Sequence, residues 1–150
     1  MEKFKVLLVD DEEEFVKALS ERLQIRDVGS DMAFDGEAAL EMVQGQEPDV
    51  MVLDLKMPGI DGMEVLRRVR KAYPKVQVII LTGHGTDKDA EEARRLGAYA
   101  YLQKPVNLEE LLLTMKKAYK KKLEDVMVAA TFAEAGDFKT AREVMEKKKK

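Results

Sequence analysis

Apolar runs of strand length alternate with longer amphipathic segments along most of this chain. The first run, Lys5–Val9, is followed by Glu12–Ile25, where Phe15, Leu19 and Leu23 recur every four residues. That spacing lines side chains along one face of a helix. Val28–Ala33 reads as a second strand, and Gly36–Gln44 as a second helix with Ala39, Leu40 and Val43 turned inward. Val50–Leu53 is apolar at every position and bounded by Pro48 and Asp54, as a buried third strand would be. Asp61–Ala72 predicts a third helix with Val65, Leu66 and Val69 inward, and Val76–Leu81 a fourth strand after the breaker Tyr73-Pro74. Asp87–Leu96 is a polar fourth helix ended by Gly97, and Ala98–Leu102 a fifth strand. Asn107 then suits the cap of a fifth helix, which the pattern carries to about Lys122.

Five strand–helix units in a row predict an α/β fold, a parallel sheet with helices on both faces. The almost unbroken apolar character of strands one, three and four fits central strands covered on both sides. Of the two common doubly wound arrangements, five strands fit the flavodoxin-like order 2-1-3-4-5. Strands one and three are neighbours in that order, and chemistry belongs in the crevice beyond their carboxyl ends.

Polar residues fall at that edge. Asp10 and Asp11 directly follow the first strand, and Asp54 directly follows the third. Three carboxylates brought together repel unless a cation joins them. Cysteine is absent and His84 is the single histidine, which removes disulfides, thiolate chemistry and histidine-built metal sites. The ligands are then hard oxygens, a set that favours Mg²⁺. Thr82 ends the fourth strand and Lys104 follows the fifth. A hydroxyl donor and a fixed ammonium are what a phosphoryl group needs. The set contains a nucleophilic carboxylate, a metal cradle, a hydroxyl and a cation.

Val9-Asp10-Asp11, Leu53-Asp54-Leu55-Lys56-Met57-Pro58-Gly59, Leu81-Thr82-Gly83 and Lys104-Pro105 resemble, in order and spacing, the four signatures of response regulator receiver domains. The resemblance covers roughly residues 3–122. It implies that Asp54 accepts a phosphoryl group from a sensor histidine kinase or a phosphotransfer protein, and that the domain is a switch rather than a turnover enzyme. It also implies that Asp11, Asp54 and the backbone carbonyl of Lys56 bind Mg²⁺ directly, with Asp10 acting through a water. Thr82 and Lys104 would bond the phosphoryl oxygens, and Lys104-Pro105 would be a cis peptide. Thr82 and Tyr101 would form the switch pair, with Gly83 kept small so that phosphate can enter. Lys56 and His84, each two residues past a phosphate-site residue, would tune the phosphoryl lifetime. The output face would be the fourth helix, fifth strand and fifth helix, used for an output protein or for self-association. Leu111-Leu112-Leu113 holds more leucine than one buried stripe requires, so Leu113 is expected on or beside that face.

Other readings are weaker. Asp10 and Asp11 could merely favour a helix N-terminus, Thr82 end a strand, Lys104-Pro105 make a turn, Tyr101 fill core and His84 sit in solvent, but none of these explains the whole constellation. An aspartyl-nucleophile phosphohydrolase would place a second acid two residues beyond the nucleophile, where this chain has Lys56. A phosphorylation-independent interaction module leaves the acidic set without a purpose. Gly83-His84-Gly85 opens like a dinucleotide-binding turn, but the third glycine position is Lys88, and no Walker A sequence is present. The opening apolar run is too short and too closely followed by acids for a signal peptide, and no window approaches membrane-span length, so a cytoplasmic protein is expected.

Charge is spread unevenly. Residues 116–150 hold eleven Lys and Arg against six Asp and Glu, whereas the residues before them hold fifteen against twenty-three. The shift points to a boundary, with a receiver over residues 1–122 and a basic tail over 123–150. Residues 123–146 read as two short helices joined at Gly136-Asp137, a junction resembling that of a tetratricopeptide repeat. One such unit needs a neighbour to pack on. Nucleic-acid binding is not expected of so short a tail.

Overall fold

The computed structural model describes residues 3–134. In chain order the elements are β1 (Val6–Val9), α1 (Glu13–Ile25), β2 (Ser30–Ala33), α2 (Gly36–Gly45), β3 (Val50–Leu53), α3 (Gly62–Ala72), β4 (Gln77–Thr82), α4 (Asp87–Arg95), β5 (Ala100–Gln103) and α5 (Leu108–Glu134). The strands form one parallel sheet in the order β2-β1-β3-β4-β5, the expected flavodoxin-like arrangement. Strand alternation divides the core into two layers. Leu7, Val9, Met51, Leu53, Val78 and Ile80 face α2 and α3, meeting Ala39, Val43, Val65, Leu66 and Val69. Val6, Leu8, Val50, Val52, Ile79 and Leu81 face α1 and α5, meeting Val16, Leu19, Leu23, Leu111 and Met115.

Helix starts follow side-chain chemistry. The carboxylates of Asp35 and Asp61 accept the N–H groups of Ala38 and Glu64, and Thr86 with Asp89 makes a reciprocal capping box on α4. Asn107 accepts the N–H groups of Glu109 and Glu110 at the start of α5, as its sequence position predicts. Gly97 takes a positive φ of 101° just after α4, a conformation that ends helices and suits glycine. No helix among the described residues is long and apolar enough to cross a membrane.

The fifth helix departs from expectation. It does not stop near Lys122 but runs unbroken to Glu134, because no glycine or proline interrupts residues 108–134. The charge shift read as a boundary is partly the lysine-rich surface of this one helix. Its distal part is fastened below the amino-terminal edge of the sheet. Tyr119 stacks on Phe4 at 5.0 Å, and Lys122 pairs with Asp49, whose other oxygen accepts the Lys5 N–H at 2.7 Å. Asp125, buried on the same helix, acts electrostatically on the buried Arg70 of α3. The second helix expected after Gly136 lies outside the described residues.

Candidate functional site

Backbone ladders carry the functional residues one step past their strands. The Asp10 N–H donates to the Ala33 carbonyl at 3.1 Å, the Asp54 N–H to the Val9 carbonyl at 3.0 Å, and the Lys104 N–H to the Thr82 carbonyl at 2.9 Å. Asp10, Asp54, Thr82 and Lys104 are thereby held along the carboxyl edge of adjacent strands, the crevice expected of the strand order. A small residue is also built in here. A Cβ at Gly62 would fall on the Asp54 carbonyl oxygen and lie 2.6 Å from the Leu55 Cα, so α3 can start against this loop only with glycine.

Asp10 and Asp54 are buried. One carboxylate oxygen each from Asp10, Glu12 and Asp54 lie within 4.8 Å of one another, the acidic group among the described residues that could hold a metal ion. Asp54 Oδ1 is buried and has no hydrogen-bond partner there. An orphaned carboxylate oxygen beside two more carboxylates fits a hard divalent cation, and the donor set fits Mg²⁺. Asp11, expected as a direct ligand, is exposed and is not in this group, whereas Glu12 is.

Lys104 counters part of this negative charge. Its ammonium donates to Asp10 Oδ2 at 2.6 Å and to Glu12 Oε1 at 3.0 Å, and lies 4.2 Å from the centre of the Phe15 ring. Burial pulls the Lys104 ammonium down, but the bonds to Asp10 and Glu12 outweigh it and hold its pKa above the ordinary lysine value. Burial raises Asp10 above the ordinary carboxylate range, only partly offset by Lys104 and by the Glu12 N–H that its Oδ1 accepts. The Lys104-Pro105 peptide is cis, as expected. A Cβ at Gly83 would lie 3.8 Å from the lysine stem, so this position has room for a methyl group.

Thr82 is fully buried, and its hydroxyl accepts the His84 N–H at 3.3 Å. Its methyl group stands beside Gly85, and so does Tyr101. A Cβ at Gly85 would coincide with the Tyr101 hydroxyl and lie 2.8 Å from its Cζ and 2.9 Å from Thr82 Cγ2. The Tyr101 ring is therefore already turned inward. Its hydroxyl is buried without a hydrogen-bond partner among the described residues, and burial raises its pKa. Lys56 and His84 are both exposed, Lys56 lining a cleft of about 240 Å³ with Asp61, Met63, Asp89 and Glu92. Leu111 and Leu112 are buried, whereas Leu113 is 54% exposed, as expected.

Glu12, Phe15, Gly62 and Gly85 are the members that sequence reasoning missed. Glu12 and Phe15 meet Lys104 only through the fold, and nothing in their own neighbourhood marks the contact. Gly62 and Gly85 carried a signal, since glycine at a helix start or beside a functional threonine asks what would occupy the missing Cβ.

Comparison with known proteins agrees with this geometry. Residues 6–116 match the response regulator receiver domain family. The chain is 35% identical over 145 residues to the response regulator MprA of Mycobacterium ulcerans, covering 93% of this chain and 62% of MprA. It is 34% identical over 120 residues to an NtrX-like protein of Rickettsia typhi, covering 79% of this chain and 25% of that one. The crystal structure of a response regulator receiver domain protein from Clostridium thermocellum superposes with a TM-score of 0.75 at 34% identity, covering 79% of this chain and 95% of the other. The chain thus spans a quarter to three-fifths of the length of these two sequence relatives.

Proposed function

The chain belongs to the response regulator receiver domain family of two-component signalling, and from that premise we propose that Asp54 is its phospho-acceptor. The observation that carries this reading is the buried Asp54 carboxylate, which groups with Asp10 and Glu12, acts on the Lys104 charge, and has an Oδ1 without a hydrogen-bond partner among the described residues. A carboxylate so placed can attack phosphorus. An Asp54 oxygen forms the new P–O bond as the P–N bond to a kinase or phosphotransfer-protein histidine breaks, and the electron pair leaves with the imidazole. Asp11, Asp54 and the Lys56 carbonyl would hold Mg²⁺, with Asp10 acting through a water, and the ion would neutralise phosphoryl charge. Lys104 supplies a second, fixed positive charge, and the Thr82 hydroxyl a donor.

The phosphoryl group adds close to two negative charges beside Thr82. The Thr82 hydroxyl would exchange the weak His84 N–H contact for a charge-assisted bond, and its methyl group contacts the region that Tyr101 fills. Thr82 and Tyr101 would thus report phosphorylation to α4, β5 and α5, where Leu113 offers an exposed apolar contact for an output protein or a second copy. Lys56 and His84, exposed beside the site, would set how readily water reaches the phosphoryl group.

Mass spectrometry after incubation with acetyl phosphate and Mg²⁺ tests the acceptor. One phosphoryl mass should be gained and mapped to Asp54, and Asp54→Asn should gain none. Equal labelling of the variant at a single other residue would refute the assignment.

A further inference from the structure

Lys104 is held by more than the phosphate chemistry requires. Its bond to Asp10 is enclosed, since the two side chains are only 14% and 6% exposed. Its bond to Glu12 faces solvent, for the Glu12 side chain is 59% exposed. The face of Phe15 closes a third side of the ammonium. Two of its three N–H donors are engaged by carboxylates and a ring lies against the ammonium, so a phosphoryl group on Asp54 must compete for it. The enclosed Asp10 pair is costly to break, because either charge would be left buried. The exposed Glu12 pair is screened by water and yields readily.

We propose that Glu12 is a positioning residue that parks the Lys104 ammonium in the unphosphorylated state, and that an incoming phosphoryl oxygen displaces Glu12 while Asp10 stays bonded. The proposal rests on Asp54 being the acceptor. Glu12 then acts as a brake, because its carboxylate competes with the phosphoryl group for one cation. Removing the competitor should favour phosphorylation by the worth of one exposed ion pair, roughly two- to fivefold. Nearby negative charge would also draw in Mg²⁺, so the rate at saturating Mg²⁺ and the Mg²⁺ midpoint must be read separately.

Wild type, Glu12→Gln, Glu12→Asp and Asp54→Asn, each as the full chain, are compared in three measurements. These are the initial rate of phosphorylation by acetyl phosphate at saturating Mg²⁺, the Mg²⁺ midpoint, and the ammonium NMR signal of Lys104 in ¹⁵N-labelled, unphosphorylated protein. Glu12→Gln should raise the rate roughly two- to fivefold, leave the Mg²⁺ midpoint within about twofold, and shift the Lys104 signal. Glu12→Asp keeps the charge but loses the reach, and should resemble Glu12→Gln. Raising salt should bring the wild-type rate toward that of the variant, since the exposed pair is screened. A slower Glu12→Gln with weakened Mg²⁺ binding would make Glu12 a metal ligand and overturn the proposal. So would an unchanged rate, or a Glu12→Asp that behaves as wild type in rate and Lys104 signal. Labelling that persists in Asp54→Asn would instead overturn the acceptor assignment itself, which separates the two failures.

Discussion

Replacing Gly85 by alanine puts a methyl group where the Tyr101 hydroxyl now sits. Gly85 does not take a positive φ, unlike Gly59 and Gly97, so the backbone accepts a side chain and the conflict is steric alone. Tyr101 must then swing outward or the loop must shift. Overpacking of this kind costs about 1–3 kcal/mol. Two effects oppose it. Alanine restricts the unfolded chain, worth about 0.4–1 kcal/mol, and an outward ring returns a partnerless hydroxyl to water, worth about 1 kcal/mol. The net expectation is a loss of only about 0.3 kcal/mol in the wild-type background. With Tyr101→Ala already in place the clash is gone, and Gly85→Ala should stabilise by about 0.4–1 kcal/mol through the unfolded chain. The remaining contact with the Thr82 methyl group at 2.9 Å is present in both backgrounds and cancels. A double-mutant cycle by urea denaturation, followed by far-ultraviolet circular dichroism, should give a coupling of about 1 kcal/mol between residues 85 and 101. Equal costs of Gly85→Ala in both backgrounds, within about 0.5 kcal/mol, would show that Tyr101 does not occupy this seat.

Arg70→Met removes the donor that bonds the Pro74 and Val76 carbonyls at 2.7 and 2.6 Å, and deprives Asp125 of an opposing charge. It should destabilise the chain by about 3 kcal/mol in urea denaturation, with partial recovery on adding Asp125→Leu; a loss below about 1 kcal/mol would detach α5 from this anchorage. Bonds from Arg67 and Arg68 hold the Glu64 carboxyl down at about 2, against an ordinary 4.5. Its contribution to stability is therefore full above pH 4.5 and is lost as pH falls through about 2. The effect is small for so exposed a group, and salt should weaken it. A carboxyl NMR titration locates the midpoint, and a value near 4.5 in low salt would contradict the bonds drawn from Arg67 and Arg68.

Asp10, Asp54, Thr82 and Lys104 are legible in the amino-acid sequence, because each sits at the end of a strand-length run and a parallel sheet gathers those ends at one edge. What the sequence pattern could not supply was contact across the chain. Glu12 and Phe15 look like ordinary first-turn helix residues until Lys104, 92 positions from Glu12, arrives over them. Asp11 shows the converse: adjacent to Asp10 in sequence, it is exposed to solvent while Glu12 joins the cluster. Strand ends moved by one or two residues, β5 starting at Ala100 rather than Ala98, because ladder bonds rather than apolar content define them. Arg70 reads as one of several basic residues at the end of α3, and its bonds to carbonyl groups, with the charge of Asp125, account for its being 3% exposed.

The continuity of α5 links the two ends of the sheet. The helix starts at Leu108, four residues past Lys104, and its 27 residues reach about 40 Å. Leu111, Leu112, Met115 and Ala118 seat its first half in the core, while Tyr119, Lys122 and Asp125 hold its second half at the opposite edge. A flexible linker after Lys122 would dissipate any displacement that begins at the carboxyl edge of the sheet. An unbroken helix would instead pass a rotation of its first turn along its length, opposed by the packing and ion pairs that hold it. Loosening the contacts of Lys122 and Asp125 is therefore expected to change how far a shift beside Lys104 travels, as well as to lower stability.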